Sequence, residues 1–237
     1  MKIDNIKVYN FENAIRGMRN PKNSWDKSDS IYGLEINQQD AILARTNNQP
    51  FEIINQDNEL CEFASLGPND LKLATTLIGA GSEHRKFMRQ IFVSMDIEAP
   101  LYWWKEMDQY KVGTTTDSCS TMHKLTSQPI TITSFEIDDY NYRLQLPNEN
   151  TYVCEYEKVV IDMLEKLRQA YIETGNQDYW KELIRWLPES WLQKRTWTGS
   201  YENVRSMYQQ RKTHKLTEWR TVCDTIKTLP YAKQFII

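Results

Sequence analysis

The stretch Ile91-Phe92-Val93-Ser94-Met95-Asp96-Ile97-Glu98-Ala99-Pro100 decides how the rest of the chain is read. Ile91, Val93, Met95, Ile97 and Ala99 alternate with Phe92, Ser94, Asp96 and Glu98. Successive side chains of a strand point to opposite faces, so this period of two describes a half-buried strand with one core face. The strand is expected over about Phe87 to Ala99. Pro100 ends it, and its fixed φ suits the first turn of a helix. Leu101 to Tyr110 reads as that helix, with Trp103, Trp104, Met107 and Tyr110 on adjoining faces.

Toward the N-terminus, Gly67-Pro68-Asn69-Asp70 opens a helix carrying Leu71, Leu73, Ala74, Leu77 and Ile78 on a helical period. Gly79-Ala80-Gly81-Ser82 stops it. Short strands are expected at Ile6 to Tyr9 and Glu52 to Ile54. The remaining N-terminal third reads as irregular and polar, with turn-forming residues at Asn20-Pro21-Lys22-Asn23-Ser24 and Asp26 to Ser30. Toward the C-terminus, Val112 to Met122 is a run of small and hydroxyl residues without a period, expected as a loop. Val159, Val160, Met163, Leu164, Leu167, Ala170 and Tyr171 form an amphipathic helix that stops near Gly175-Asn176. Further helices are expected at Asp178 to Leu187, Tyr201 to Arg211 and Leu216 to Leu229. A few strands early and helices grouped late give an α+β class.

The chain has 237 residues, which fits one domain, 1–237. Hydrophobic residues make up 40% and charged residues 26%, a globular composition. A formal net charge of −3 argues against generic attraction to duplex nucleic acid or anionic membrane. No apolar run has membrane-spanning length, and Met1 to Val8 lacks a signal-peptide core, so a cytoplasmic protein is expected. Cys61, Cys119, Cys154 and Cys223 form no CxxC pair and no zinc spacing with His84, His123 and His214. Free thiols and no metal site are therefore expected. The 8 Trp and 13 Tyr suit cores, subunit interfaces and stacking surfaces for planar ligands.

No stand-alone catalytic motif is present, and no catalytic residue is assigned. Three constellations carry potential chemistry. Glu83-His84-Arg85-Lys86-Phe87 enters the strand. Lys105-Glu106 with Lys111 leads into the hydroxyl-rich loop. Arg205, Arg211, His214, Glu218 and Arg220 lie on the C-terminal helices. Each has a plainer reading as a solvated turn or helix face. Cys119 is a potential nucleophile without an identified base.

These constellations resemble the flavin-dependent thymidylate synthases over roughly residues 70 to 225; the N-terminal part is unassigned. Glu83-His84-x-x-Phe87 matches the family's EHxxF segment, and Pro100 falls in place. The family's Arg-His-Arg triplet falls on Gln109-Tyr110-Lys111, and its Ser, Glu, Ser and Arg fall on Thr114, Asp117, Cys119 and Thr121. Leu187-Pro188, Trp197-Thr198, Arg211, His214 and Glu218-Trp219-Arg220 follow at matching intervals, while the family's Asn and Arg fall on Ser200 and Glu202.

The resemblance implies an antiparallel sheet packed with a C-terminal set of helices, and a homotetramer sharing its sites between subunits. It implies FAD, with NADPH as reductant and methylenetetrahydrofolate as methyl donor to deoxyuridine monophosphate or a related pyrimidine nucleotide. Carried over by position, His84 and Lys111 bind the cofactor, and Glu106, Asp117, Cys119 and Arg211 bind the substrate. His84, Lys111, Asp117, Cys119 and Arg211 are expected to approach one cleft, from one subunit or from different subunits, with Trp103 or Trp104 near it. Gln109 and Thr121 lack the guanidinium forks that grip phosphate bidentately, each such contact contributing on the order of 1.5–3 kcal/mol. Two other readings stand beside a flavin enzyme: a nucleotide-binding protein on the same scaffold without flavin chemistry, and a structural or regulatory homo-oligomer.

Overall fold

The computed structural model describes residues 1–33, 52–53 and 63–237. The expected strand end Ile54, and Cys61, lie outside them. The elements are β1 (Lys2–Tyr9), α1 (Phe11–Arg19), β2 (Ile31–Gly33), β3 (Glu52–Ile53), β4 (Phe63–Ser65), α2 (Pro68–Gly79), β5 (Phe92–Pro100), α3 (Leu101–Met107), β6 (Thr115–Ser118), α4 (Thr121–Lys124), α5 (Val153–Thr174), α6 (Gln177–Arg185), β7 (Leu192–Ser200), α7 (Tyr201–Arg211), α8 (Thr217–Lys227) and α9 (Ala232–Phe235). The class is α+β. One sheet has the order β1-β5-β7-β6, and a small antiparallel sheet has the order β2-β4-β3.

The alternation that anchored the reading is realised in β5. Ile91, Val93, Met95, Ile97 and Ala99 are all buried, whereas Phe92 is exposed. Its pairing with β7 is antiparallel, since the Thr196 hydroxyl donates to Asp96 at 2.6 Å while Thr198 meets Ser94 at 3.1 Å. The strand begins at Phe92 rather than Phe87, because Lys86–Arg89 is a 3-10 turn that buries Phe87 and Met88 side by side. The run expected as a loop over 112–122 contains β6 and the first residues of α4. Backbone pairing fixes it there, with the Cys119 N–H donating to the Lys194 carbonyl at 2.8 Å. The N-terminal third is not wholly irregular either. Phe11, Ala14, Ile15 and Met18 line the buried side of α1, an i, i+3, i+4, i+7 pattern.

The chain forms two compact units. The first comprises 1–2, 97–109 and 117–195; the second comprises 3–96, 110–116 and 196–237. In the first unit, Leu125, Ile130, Phe135, Leu164 and Leu183 form the core of the α5–α6 pair, joined by Ile161, Leu167 and Trp191. Glu165 on α5 ties a loop to this core. It accepts from the Ile130 N–H at 2.8 Å and is forked by Arg168 Nε and Nη2 at 2.7 and 2.6 Å. The Arg168 bonds, helped by the Ile130 N–H, hold the Glu165 carboxyl down at about 2 against the opposing effect of burial. An unfolded glutamate titrates near ~4.3. The stability carried by this depressed group is therefore complete above that value and disappears as pH falls through about 2. Wild type should exceed Glu165→Gln in stability at neutral pH, with the gap narrowing in denaturant titrations taken from pH 5 toward pH 2. A gap independent of pH would contradict this role.

The second unit is built on aromatic packing. Phe11 meets Tyr201 edge-on at 5.6 Å, and Phe87 meets Phe235 at 5.8 Å. A buried ion pair joins α1 to the start of α2, with Arg19 Nε 2.5 Å from Asp70 Oδ1 and side-chain exposures of 5% and 0%. Asp70 Oδ2 also accepts from the Ser28 and Ser30 hydroxyls, each at 2.6 Å. Burial pushes the Asp70 carboxyl up, but these donors and Arg19 outweigh it and hold the group below its ordinary value. Asp29 caps α2 by accepting from the N–H groups of Asn69 and Asp70 at 2.9 and 3.1 Å. That cap lies so close to Gly67 that a Cβ there would sit 2.3 Å from the Asp29 carbonyl oxygen, so only glycine fits.

Candidate functional site

Three of the six residues assigned from sequence, His84, Lys111 and Arg211, belong to the second unit; Glu106, Asp117 and Cys119 belong to the first. In the second unit, α1, the turns after it, α2 and the segment 83–87 enclose a cavity of about 1020 Å3. His84 stands at its wall. Met18, Leu73, Leu77 and Phe87 supply an apolar lining, and Lys22, Lys27 and Lys86 supply cations. Lys86 pairs with Glu83 at 3.6 Å on the surface. Among the described residues, no acidic side chain pairs with Lys22 or Lys27. A lining that combines apolar side chains with ammonium groups is suited to a planar ligand carrying phosphate.

Arg211 and Lys111 are not among the residues lining this cavity. Arg211 Nε donates to Tyr110 Oη at 2.9 Å, and Tyr110 Oη donates to Gln210 at 2.9 Å. The Arg211 guanidinium lies 4.8 Å from the Trp219 ring, and His214 packs edge-on to the same indole at 6.3 Å. The tyrosine standing at the middle of the expected triplet thus holds the arginine expected to meet the nucleotide. Lys111 follows Tyr110 directly and is exposed.

In the first unit, Cys119 lines a second cavity of about 320 Å3. Ser120, Thr121, Ser127, Thr133 and Ser134 bring hydroxyls to it, and Lys124 and Lys194 bring cations. Gln193 Nε2 donates to the Cys119 carbonyl at 3.0 Å and to the Thr121 hydroxyl at 3.2 Å, fixing the cavity wall. Asp117 is exposed on β6, and Glu106 lies half-buried on α3. Trp103 and Trp104 are buried, with the Arg195 guanidinium 4.2 Å above Trp104. The cysteines described, Cys119, Cys154 and Cys223, are free. Among the described residues there is no group of three or more His, Cys, Asp or Glu able to hold a metal, and no helix is long and apolar enough to cross a membrane.

Sequence reasoning missed Lys22 and Lys27, which lie in the stretch read as irregular. The helical pattern of Phe11 to Met18 was the signal that places them, since α1 carries the turns bearing both lysines against α2.

The fold is that of the flavin-dependent thymidylate synthases. Two solved structures of thymidylate synthase X from Helicobacter pylori, each complexed with FAD and dUMP, superpose along nearly the whole chain. One has a TM-score of 0.63 at 13% identity, covering 99% of this chain and 98% of that one. The other has a TM-score of 0.61 at 13% identity, covering 100% and 97%. No protein-family model matches the sequence, and no curated protein matches it significantly.

Proposed function

We propose that this protein binds FAD and a pyrimidine nucleotide as a thymidylate synthase-like flavoprotein, with FAD in the cavity walled by His84. The carrying observation is that cavity: about 1020 Å3, lined both by apolar side chains and by Lys22 and Lys27, with which no acidic side chain pairs among the described residues. Its size and mixed lining fit a flavin nucleotide, and the solved neighbours are complexes with FAD and dUMP. Lys22 and Lys27 would meet the pyrophosphate, His84 would meet the nucleotide, and Met18, Leu73 and Leu77 would pack on a ring system. Bound flavin would supply electron-transfer chemistry; the chain's part is binding and orientation. Reductive methylation of deoxyuridine monophosphate, drawing on NADPH and methylenetetrahydrofolate, is the activity this reading extends to.

One observation favours nucleotide binding without flavin chemistry. Arg211 is engaged by Tyr110, and Lys111 replaces a guanidinium fork at the triplet. A single titration separates the two. Purified protein should quench FAD fluorescence at saturable stoichiometry, and Lys22→Ala/Lys27→Ala should weaken binding by on the order of ten- to a hundredfold per lysine. Saturable binding of deoxyuridine monophosphate with no FAD binding would leave only the second reading. The homotetramer belongs to the same proposal. It is supported by the open apolar stripe Val159, Met163, Leu167 and Ala170 on α5; light scattering reads the mass.

A further inference from the structure

We infer that Glu202 is a positioning residue for the His84 cavity, acting through Arg85; this rests on the flavin-binding reading above. Between Ile78 and Phe87 the chain buries no side chain, and Ser82, Glu83 and His84 are exposed. Backbone bonds alone give a tight turn, with the N–H groups of His84 and Arg85 donating to the Gly81 carbonyl at 3.0 and 3.1 Å. Gly81 has φ +112, a conformation that side-chain-bearing residues rarely adopt. Such a turn on the surface needs an outside anchor to hold one orientation.

Arg85 provides it. Its Nε lies 2.9 Å from Glu202 Oε2 and 3.1 Å from Oε1, and Nη2 lies 3.0 Å from Oε1. Side-chain exposures are 23% and 20%, so this fork is partly withdrawn from water and outranks an ordinary surface pair. Glu202 sits in the first turn of α7, where the helix dipole favours a carboxylate. A reciprocal cap fixes that turn: the Asn203 N–H donates to Ser200 Oγ at 3.3 Å, and the Ser200 N–H donates to Asn203 Oδ1 at 3.0 Å. Asn203 also donates to the Val112 carbonyl at 2.8 Å. Arg205, also on α7, donates to the Ile236 carbonyl at 3.1 Å. Burial, and then the charge of Arg85, lower its affinity for a proton. Glu202 is thus held rigidly and faced by two guanidiniums, of which Arg85 alone carries the His84 turn.

The test is a double-mutant cycle on FAD affinity. Glu202→Gln should weaken binding about tenfold in wild type and by less than about twofold in a His84→Ala background, because a residue acting through another has no effect once that other is gone. Arg85→Ala should weaken binding as Glu202→Gln does, and the two changes together by no more than either alone. In ligand-free protein, the His84 ring resonance should move toward its random-coil position in Glu202→Gln while the melting temperature stays near wild type. Equal losses in both backgrounds, or an unmoved resonance, overturn the inference. If His84→Ala binds FAD as wild type does, the cavity assignment fails instead, and the ligand-free resonance still decides the positioning role.

Discussion

Asp70→Ala is expected to lower the unfolding free energy by about 3–5 kcal/mol, the usual cost of removing one member of a buried ion pair. Arg19 would be left 5% exposed with its carboxylate gone, and the Ser28 and Ser30 hydroxyls would lose their common acceptor. Arg19 Nη1 would keep only the Ser24 carbonyl, at 3.2 Å. The loss exceeds the net contribution of the pair itself, since much of it is the penalty for an unpaired buried charge. Arg19→Met/Asp70→Leu should accordingly cost much less than Asp70→Ala. Urea titration of the three proteins checks this, and a double variant as unstable as the single one would contradict it. Because the Asp70 carboxyl is held below its ordinary value, its contribution is complete above about pH 4 and fades on acidification.

Trp219→Ala carries the other large effect, about 3–5 kcal/mol. The indole is fully buried on α8, with Tyr110 edge-on at 5.8 Å and the Arg211 guanidinium 4.8 Å from its ring. Truncation opens a void between α7 and α8 and strips Arg211 of its aromatic floor, which itself contributes about 0.5–2 kcal/mol. For a chain of this length the melting temperature should drop by about 6–20 °C. Trp219→Phe keeps a ring in contact and should recover a large part of that loss. A drop of only a degree or two in Trp219→Ala would mean that the helices close over the gap.

What could be read from sequence was what burial writes into a pattern. β5, α2, α7 and α8 each bury one apolar side, and their residues recur at the matching period; α5 carries the same period but leaves Val159, Val160 and Met163 exposed. β7 does the same thing with the wrong letters. Gln193, Arg195, Trp197 and Gly199 lie on its more buried side, while Lys194 and Thr196 are exposed. Half of that side is polar because Arg195 lies flat over Trp104 and bonds Gln193 and Asp108 at 2.9 Å each, so no apolar alternation exists to be read. β6 is hidden for a related reason: its place is set by backbone pairing, which any side chain permits. His84 was singled out in the sequence because a motif marks it. Lys22 and Lys27 are brought to the same cavity by tertiary packing of α1 and α2, and no local spacing records that. Glu202 stood out in sequence only as a departure from Arg, and its partner Arg85 becomes visible only in three dimensions.

The second unit is assembled from stretches far apart in the chain, and Tyr231 Oη accepts from the Leu66 N–H across 165 residues. On the ribosome, Phe92 to Asp96 emerge about a hundred residues before Thr196 and Thr198, the partners of Asp96 and Ser94, are synthesised. Until then that edge of β5 is open to any passing strand, as is the apolar face of Val93 and Met95. Completion of this unit waits on the last helices of the chain, so a nascent chain stalled before residue 196 is the form most exposed to aggregation and most in need of a chaperone. Such dependence on distant pairings also predisposes the unit to slow folding.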